Sequence, residues 1–304
     1  EQGFFVQPIG FVESCYRQCV GTPRQVLPTH SRLFSTSASH RCSVQPASHH
    51  ITSSFPRNSR QGWLVPSSRS VIRLARNVSP EALEGLEDFS HVYITFQFHQ
   101  NTNTLKEAKA FEGVVASDRK GKQAYTFTAK ITPPMLKEKK GVFATRSPHR
   151  PNPVGLTLAR IASVDRAARC IHVCACDLVD GTPVLDVKPY VPVHDSVSEI
   201  WGDSGGTRVP AWIVEGVHSR NFVSLAPGVA EQAAAVAPYL KQYPGEPEAF
   251  LGALTETLEA EVRSKFQTRR RIESSEQGHA CEVAFDECMC SYHWRGEREM
   301  EIVK

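Results

Sequence analysis

No stretch of the chain approaches the ~18 uninterrupted apolar residues of a membrane-spanning helix, which excludes a helical crossing of a bilayer. Acidic side chains are absent between Glu13 and Glu81, and lysine is absent from the first 80 residues. Nine arginines stand there against Glu1 and Glu13, a balance of +7, while residues 81–304 carry −4, so the overall +3 is a local excess. There is no G-x-G-x-x-G after a strand, and Gly121-Lys122 lacks the earlier glycine of a phosphate-binding loop, so neither nucleotide cradle is supported. The nine cysteines show no disulfide-type spacing, which favours thiols and a cytoplasmic setting. Neither Cys174 with Cys176 nor Cys288 with Cys290 offers the two-to-four residue spacer of a zinc site, even with His293 nearby, so no metal is expected. No internal repeat is apparent.

What is present is a 304-residue chain with 40% apolar and 22% charged side chains, an ordinary globular composition for one or two domains. Phe4 to Val12 reads as a strand and runs into Gly21-Thr22-Pro23-Arg24-Gln25. Residues 29–70 hold twelve serines with scattered His, Pro and Arg and no period. They read as a disordered insertion, because such a composition buries too little apolar surface to offset its ordering entropy. Its arginines suit an anionic partner, since guanidinium groups neutralise phosphates and release counterions, or else a solvated linker. The Arg/Ser-rich, acid-poor composition also matches a transit peptide, against which its internal position argues. With the chain beginning at Glu1, targeting upstream, including to an organelle, is left open.

Order is expected to resume at Val71. Ser79-Pro80-Glu81 predicts a short helix start. Val92, Ile94, Phe96 and Phe98 alternate with polar residues as a strand with one buried face, on which His99 and Asn101 would project with Gln97 away from the apolar side. Further strands are expected over Val154–Val164, Cys170–Val179 and Thr182–Val193. Short strands punctuated by Pro and Gly, with no crossover helix in residues 91–200, predict a closed or strongly curved all-β domain. Phe250, Leu254, Leu258, Val262 and Phe266 recur every four residues after Glu246-Pro247-Glu248, predicting an amphipathic helix. Cys281–Phe285 and Cys288–Trp294 read as two strands. The expected domains are therefore a barrel over 1–215 and a small α+β unit over 216–304.

Two runs carry chemistry. Gly141 to Leu156 is apolar in its first half and then holds Arg146, Arg150, Asn152 and three prolines, which stiffen a polar loop between strands. Its arginines could serve a ligand or cap neighbouring carbonyls. The second run, Asp177 to Tyr190, sets Asp177, Asp180 and Asp186 with Lys188 around an Asp180-Gly181 turn. These are edge charges or one wall of a pocket.

Together with Pro8-Ile9-Gly10, Gly21–Gln25, Leu86–His91 and Phe98–Asn101, these runs resemble the TrmO family, the TsaA-like group of S-adenosylmethionine-dependent tRNA N6-methyltransferases. The likeness covers about residues 6–28 and 71–215. It implies a mainly β fold, a single-sheeted antiparallel β-barrel with a small C-terminal α+β domain, acting as a homodimer with its active site near the subunit interface. It implies S-adenosyl-L-methionine as cofactor and tRNA as partner, the acceptor being N6 of threonylcarbamoyl-adenosine at tRNA position 37. Carried over residue by residue, the cofactor contacts are Pro23, Arg24, Gln25, His99, Gln100, Arg146, Leu156, Asp180, Gly181, Thr182 and Pro183. Arg146 or Arg24 would suit the methionine carboxylate and Leu156 the adenine face. Asp180, Asp186 and His99 are candidate proton acceptors by type, and none is assigned. The alternatives are a non-catalytic S-adenosylmethionine- or RNA-binding barrel and a small-molecule methyltransferase.

Overall fold

Strict alternation in His91–Gln97 puts Val92, Ile94 and Phe96 on one buried face. That strand is one of six in a closed antiparallel barrel. The computed structural model describes residues 6–17, 65–100, 129–133, 136, 138–197, 208–216, 220–260, 272–273, 275–296 and 298–304. Strand β1 (Gly10–Ser14), β2 (Arg69–Leu74) and β3 (His91–Gln97) are followed by β4 (Lys130–Ile131) and β5 (Lys140–Gly141), which among the described residues pair only with each other. The long β6 (Val154–Asp165), β7 (Cys170–Cys174) and β8 (Pro183–Pro189) complete the barrel, ordered β1-β2-β7-β6-β3-β8. Closure is made by β1, which pairs with β2 from Gly10–Leu74 to Ser14–Ser70 and with β8 at Gly10–Val184. Gly10 is required there because a Cβ would lie 2.4 Å from the Arg73 carbonyl oxygen. Val12, Ile72, Val92, Ile94, Phe96, Ala159, Ile171, Val173 and Val184 fill the interior.

The expected elements shift at their ends for local reasons. Residues 65–70, read from composition as part of the insertion, belong to the fold: Val65 is buried and the Ser68 hydroxyl donates to the carbonyls of Val65 and Cys176. Residues 29–64 lie outside the described residues. The run expected over Cys170–Val179 ends at Cys174, where Ala175 turns left-handed at φ 57°, although Cys176 and Leu178 remain in the core. The strand expected over Thr182–Val193 spans Pro183–Pro189. β3 ends at Gln97, so the period of two no longer governs His99, and Asn101 lies outside the described residues. The helix start at Ser79 becomes a 3-10 turn, Pro80–Leu83, with the Ser79 side chain accepting from the Glu81 amide.

A second core forms around a four-stranded sheet, ordered β10-β11-β12-β9, from β9 (Phe222–Leu225), β10 (Cys281–Phe285), β11 (Cys288–Trp294) and β12 (Glu299–Ile302). Helices Val229–Val236 and Pro247–Glu259 pack on it. The latter buries Phe250, Leu254 and Leu258, as their spacing predicts, while Val262 and Phe266 lie outside the described residues. The continuation of β1 enters this core: Tyr16 bridges Phe285, and its ring meets the Phe285 ring edge-on at 5.7 Å. Ser67 donates to Glu256, and Arg69 pairs with Glu246 at 2.8 Å while lying over the Tyr243 ring.

Candidate functional site

The strand register brings the ends of β1 and β3 and the starts of β2, β6 and β8 to one end of the barrel. A cleft of about 220 Å³ opens there, lined by Phe96, Phe98, Arg146, Arg150, Gly155 and Leu156 among others. Phe96 stands edge-on to Phe98 at 4.9 Å and lies flat over Gly155, where a Cβ would come within 2.2 Å of the ring. Leu156, on the next residue, is 49% exposed, so the cleft has an apolar wall left open to a ligand.

The loop before β6 divides the two roles open to its arginines. Arg150 is structural: it donates to the Thr145 carbonyl at 2.8 Å and to that of Val142 at 3.4 Å. Arg146 faces the cleft. Partial desolvation pulls its pKa below the ordinary guanidinium value, with Asp177 and Tyr93 opposing the shift. Asp177 is itself oriented by the buried Thr157 hydroxyl, which donates to it at 2.9 Å. The Asp177 carboxylate thus acts on the cleft's cation in a partly dry setting, where charge interactions strengthen.

The Asp180–Pro183 turn is fastened to β1. Asp180 donates its amide to the Tyr16 carbonyl at 2.7 Å, Gly181 donates to Val12 at 2.8 Å, and Val12 donates back to Thr182 at 3.0 Å. The Asp180 carboxylate accepts from the Ser14 amide and from Arg17, both at 2.9 Å. Thr182 is buried with its hydroxyl on the Val179 carbonyl, and Pro183 begins β8. Side chains of the turn therefore hold the fold, and the surface presented is backbone. Gly181 adopts φ 75°, and a Cβ on it would sit 3.9 Å from His99 Nε2. Desolvation lowers the His99 pKa from the ordinary 6.5, with Asp180 opposing, so the ring is neutral at pH 7. Gln100 follows in the same turn.

Of the residues expected from sequence, His99, Gln100, Arg146, Leu156 and the turn Asp180–Pro183 lie at this one end of the barrel. Pro23, Arg24 and Gln25 lie outside the described residues. Asp186 lies apart from the turn: within β8 its carboxylate accepts from the Val187 amide and pairs with Lys188. Phe96, Phe98, Gly155 and Arg17 join the site without having been singled out, and Asp177, read as an edge charge or part of a pocket wall, acts on Arg146. The Phe-x-Phe pair at a strand end, and glycine opposite Phe96 in the register, were the available signals.

The geometry defines a class: a small closed β-barrel carrying a polar-and-apolar cleft at one end. The family model of the tRNA-methyltransferase O N-terminal domain matches residues 47–196. RcsF of Pseudomonas aeruginosa, provisionally named an S-adenosylmethionine-dependent methyltransferase, is 32% identical over 213 residues, 69% of this chain and 67% of that protein. A mouse tRNA (adenine(37)-N6)-methyltransferase is 35% identical over 194 residues, 62% of this chain. The chain spans 31% of the length of that mouse protein. The crystal structure of TrmO from Pseudomonas aeruginosa superposes with a TM-score of 0.58 at 22% identity, covering 100% of this chain and 98% of that one, which shows the shared fold. The chain belongs to the TrmO family of barrel proteins.

Proposed function

We propose that this chain is an S-adenosyl-L-methionine-dependent tRNA methyltransferase acting on N6 of adenosine at position 37, already bearing a threonylcarbamoyl group. The observation that carries the reading is the meeting of a partly desolvated guanidinium, an open apolar wall and a glycine turn beside a neutral histidine at one barrel end. These residues fit the methyl donor. Phe98 and Leu156 offer the apolar face an adenine needs, with Phe96 backing it, Arg146 offers paired donors to a carboxylate, and the turn at Gly181 lets backbone approach closely. The bound donor supplies an electrophilic methyl on a sulfonium. The chain's part is alignment, since in-line displacement is accelerated chiefly by holding the acceptor nitrogen in place.

The acceptor nitrogen loses its proton as the new N–CH3 bond forms. Asp180 is committed to Ser14 and Arg17, and Asp186 to Val187 and Lys188. His99, neutral, beside Gly181 and next in sequence to the cleft-lining Phe98, is the proton acceptor in this reading. The family likeness adds Pro23, Arg24 and Gln25, outside the described residues, to the donor contacts. The family likeness and the exposed apolar rim at Phe143 and Leu156 support a homodimer joined beside the cleft, as light scattering would show by twice the chain's mass. The reading also divides the chain into units at 1–215 and 216–304 and places it in the cytoplasm. Among the described residues, no helix is long and apolar enough to cross a membrane.

The test is incubation of the protein with S-adenosylmethionine and tRNA that has or lacks the threonylcarbamoyl group, followed by nucleoside analysis. Methylated nucleoside from the modified tRNA alone is expected. Product from neither tRNA rejects the enzymatic reading, and donor binding without product favours a binding barrel.

A further inference from the structure

We propose that the β10–β11 hairpin is a positioning element of the cleft: Glu287 in its turn, acting through Arg17, holds the Asp180–Pro183 turn on β1 and thereby sets affinity for the methyl donor. The inference rests on the reading of the cleft given above. Arg17 forks between two carboxylates, Nη1 to Asp180 Oδ2 at 2.9 Å and Nη2 to Glu287 Oε2 at 2.7 Å. A planar guanidinium can serve two acceptors in fixed directions, which an ammonium does less well. The other Asp180 oxygen accepts from the Ser14 amide, so the carboxylate is held from two sides.

The hairpin is itself firmly seated. Asp286, left-handed at φ 51°, donates its amide to the Cys15 carbonyl at 2.6 Å, and its buried carboxylate accepts from the Gln242 amide at 2.9 Å. Cys15, Tyr16 and Arg17 thus contact the hairpin on one side, while Ser14, Tyr16 and Arg17 grip Asp180 on the other. Displacing Asp180 moves Gly181, the residue whose backbone faces His99. The second core is in this way wired to a turn at the cleft end of the barrel.

The charges are partly exposed, with side-chain exposures of 34% for Arg17, 28% for Asp180 and 39% for Glu287, so the effect is modest. Glu287→Gln is expected to raise the dissociation constant for S-adenosylmethionine about two- to fivefold by calorimetry, with kcat at saturating donor unchanged. Arg17→Gln, losing both pairs, should raise it about tenfold, and Arg17→Lys should recover part of that loss. In donor-free protein, amide exchange in peptides spanning 178–184 should quicken in both Gln variants while β3 and β6 peptides hold their rates. Unchanged exchange there overturns the proposal. Faster exchange with unchanged affinity also overturns it, since the hairpin would then steady the fold alone. If the wild-type protein fails to bind the donor, the cleft reading falls and with it the link to affinity, while the exchange measurement still reports whether the hairpin holds the turn.

Discussion

At the scale of residues, the cleft is built by one glycine as much as by its arginine. Phe96 reaches its position because Gly155 has no side chain, and Gly155→Ala would drive a methyl to 2.2 Å from the ring. The expected outcome is a loss of about 1–3 kcal/mol in urea unfolding together with weaker donor binding, both partly restored by adding Phe96→Leu. Arg146→Ala should weaken S-adenosylmethionine binding roughly 10- to 100-fold by calorimetry, the range for a charge-assisted pair in a partly desolvated site. Unchanged affinity would show that the donor sits elsewhere. His99 gives a signed pH dependence. Its pKa is lowered in the folded protein, so it stays neutral down through the ordinary 6.5, and the acidic limb of the rate profile should fall below that pH. Stability from the same group is present above 6.5 and lost as pH drops through the lowered value. His99→Gln should abolish the limb.

At the scale of elements, legibility tracked how local each signal was. The Pro247–Glu259 helix and the β10 and β11 strands stand where periodicity puts them, because each buries a face set by its own residues. β9 and β12 pass unnoticed at four residues each, β9 being mostly exposed and joined in parallel to a partner some 70 residues on. Helix Val229–Val236 is eight residues long and alanine-rich, burying only Val229 and Ala233. The start of β2 is hidden for another reason: its Ser-Arg composition reads as loop, while its order comes from Tyr243, Glu246 and Glu256 far along the chain. The same distance hides Arg17, whose partners are 163 and 270 residues away. The joint carried by Asp286 is testable alone. Asp286→Ala strands the buried Gln242 amide and should cost about 1–3 kcal/mol in denaturant unfolding.

At the scale of the molecule, the opening charge asymmetry gains a location. Arg17 and Val65, which flank the arginine-bearing segment 18–64, are both held at the cleft end of the barrel, Arg17 by Asp180 and Val65 through Ser68. Deleting residues 31–60, which spares the lead-in to β2, should weaken tRNA binding more than donor binding and flatten the slope of log affinity against log salt. Equal tRNA affinity at matched salt would return the segment to a linker. The barrel and its site were largely readable because their motifs are contiguous. The coupling between the two cores was not, since it exists only once distant segments meet.

The barrel and the four-stranded sheet also differ in how they treat their borders. The barrel, closed by β1, offers a passing chain nothing to pair with. In the four-stranded sheet, β10 is met at Phe285 by Tyr16, but β9 forms the opposite border, paired only with β12 among the described residues and carrying Phe222 at 72% exposure with Leu225. Self-association during purification or crystal growth should therefore begin at β9, and Phe222→Lys is the substitution to make for a better-behaved sample, read as less aggregate on gel filtration with the cleft untouched.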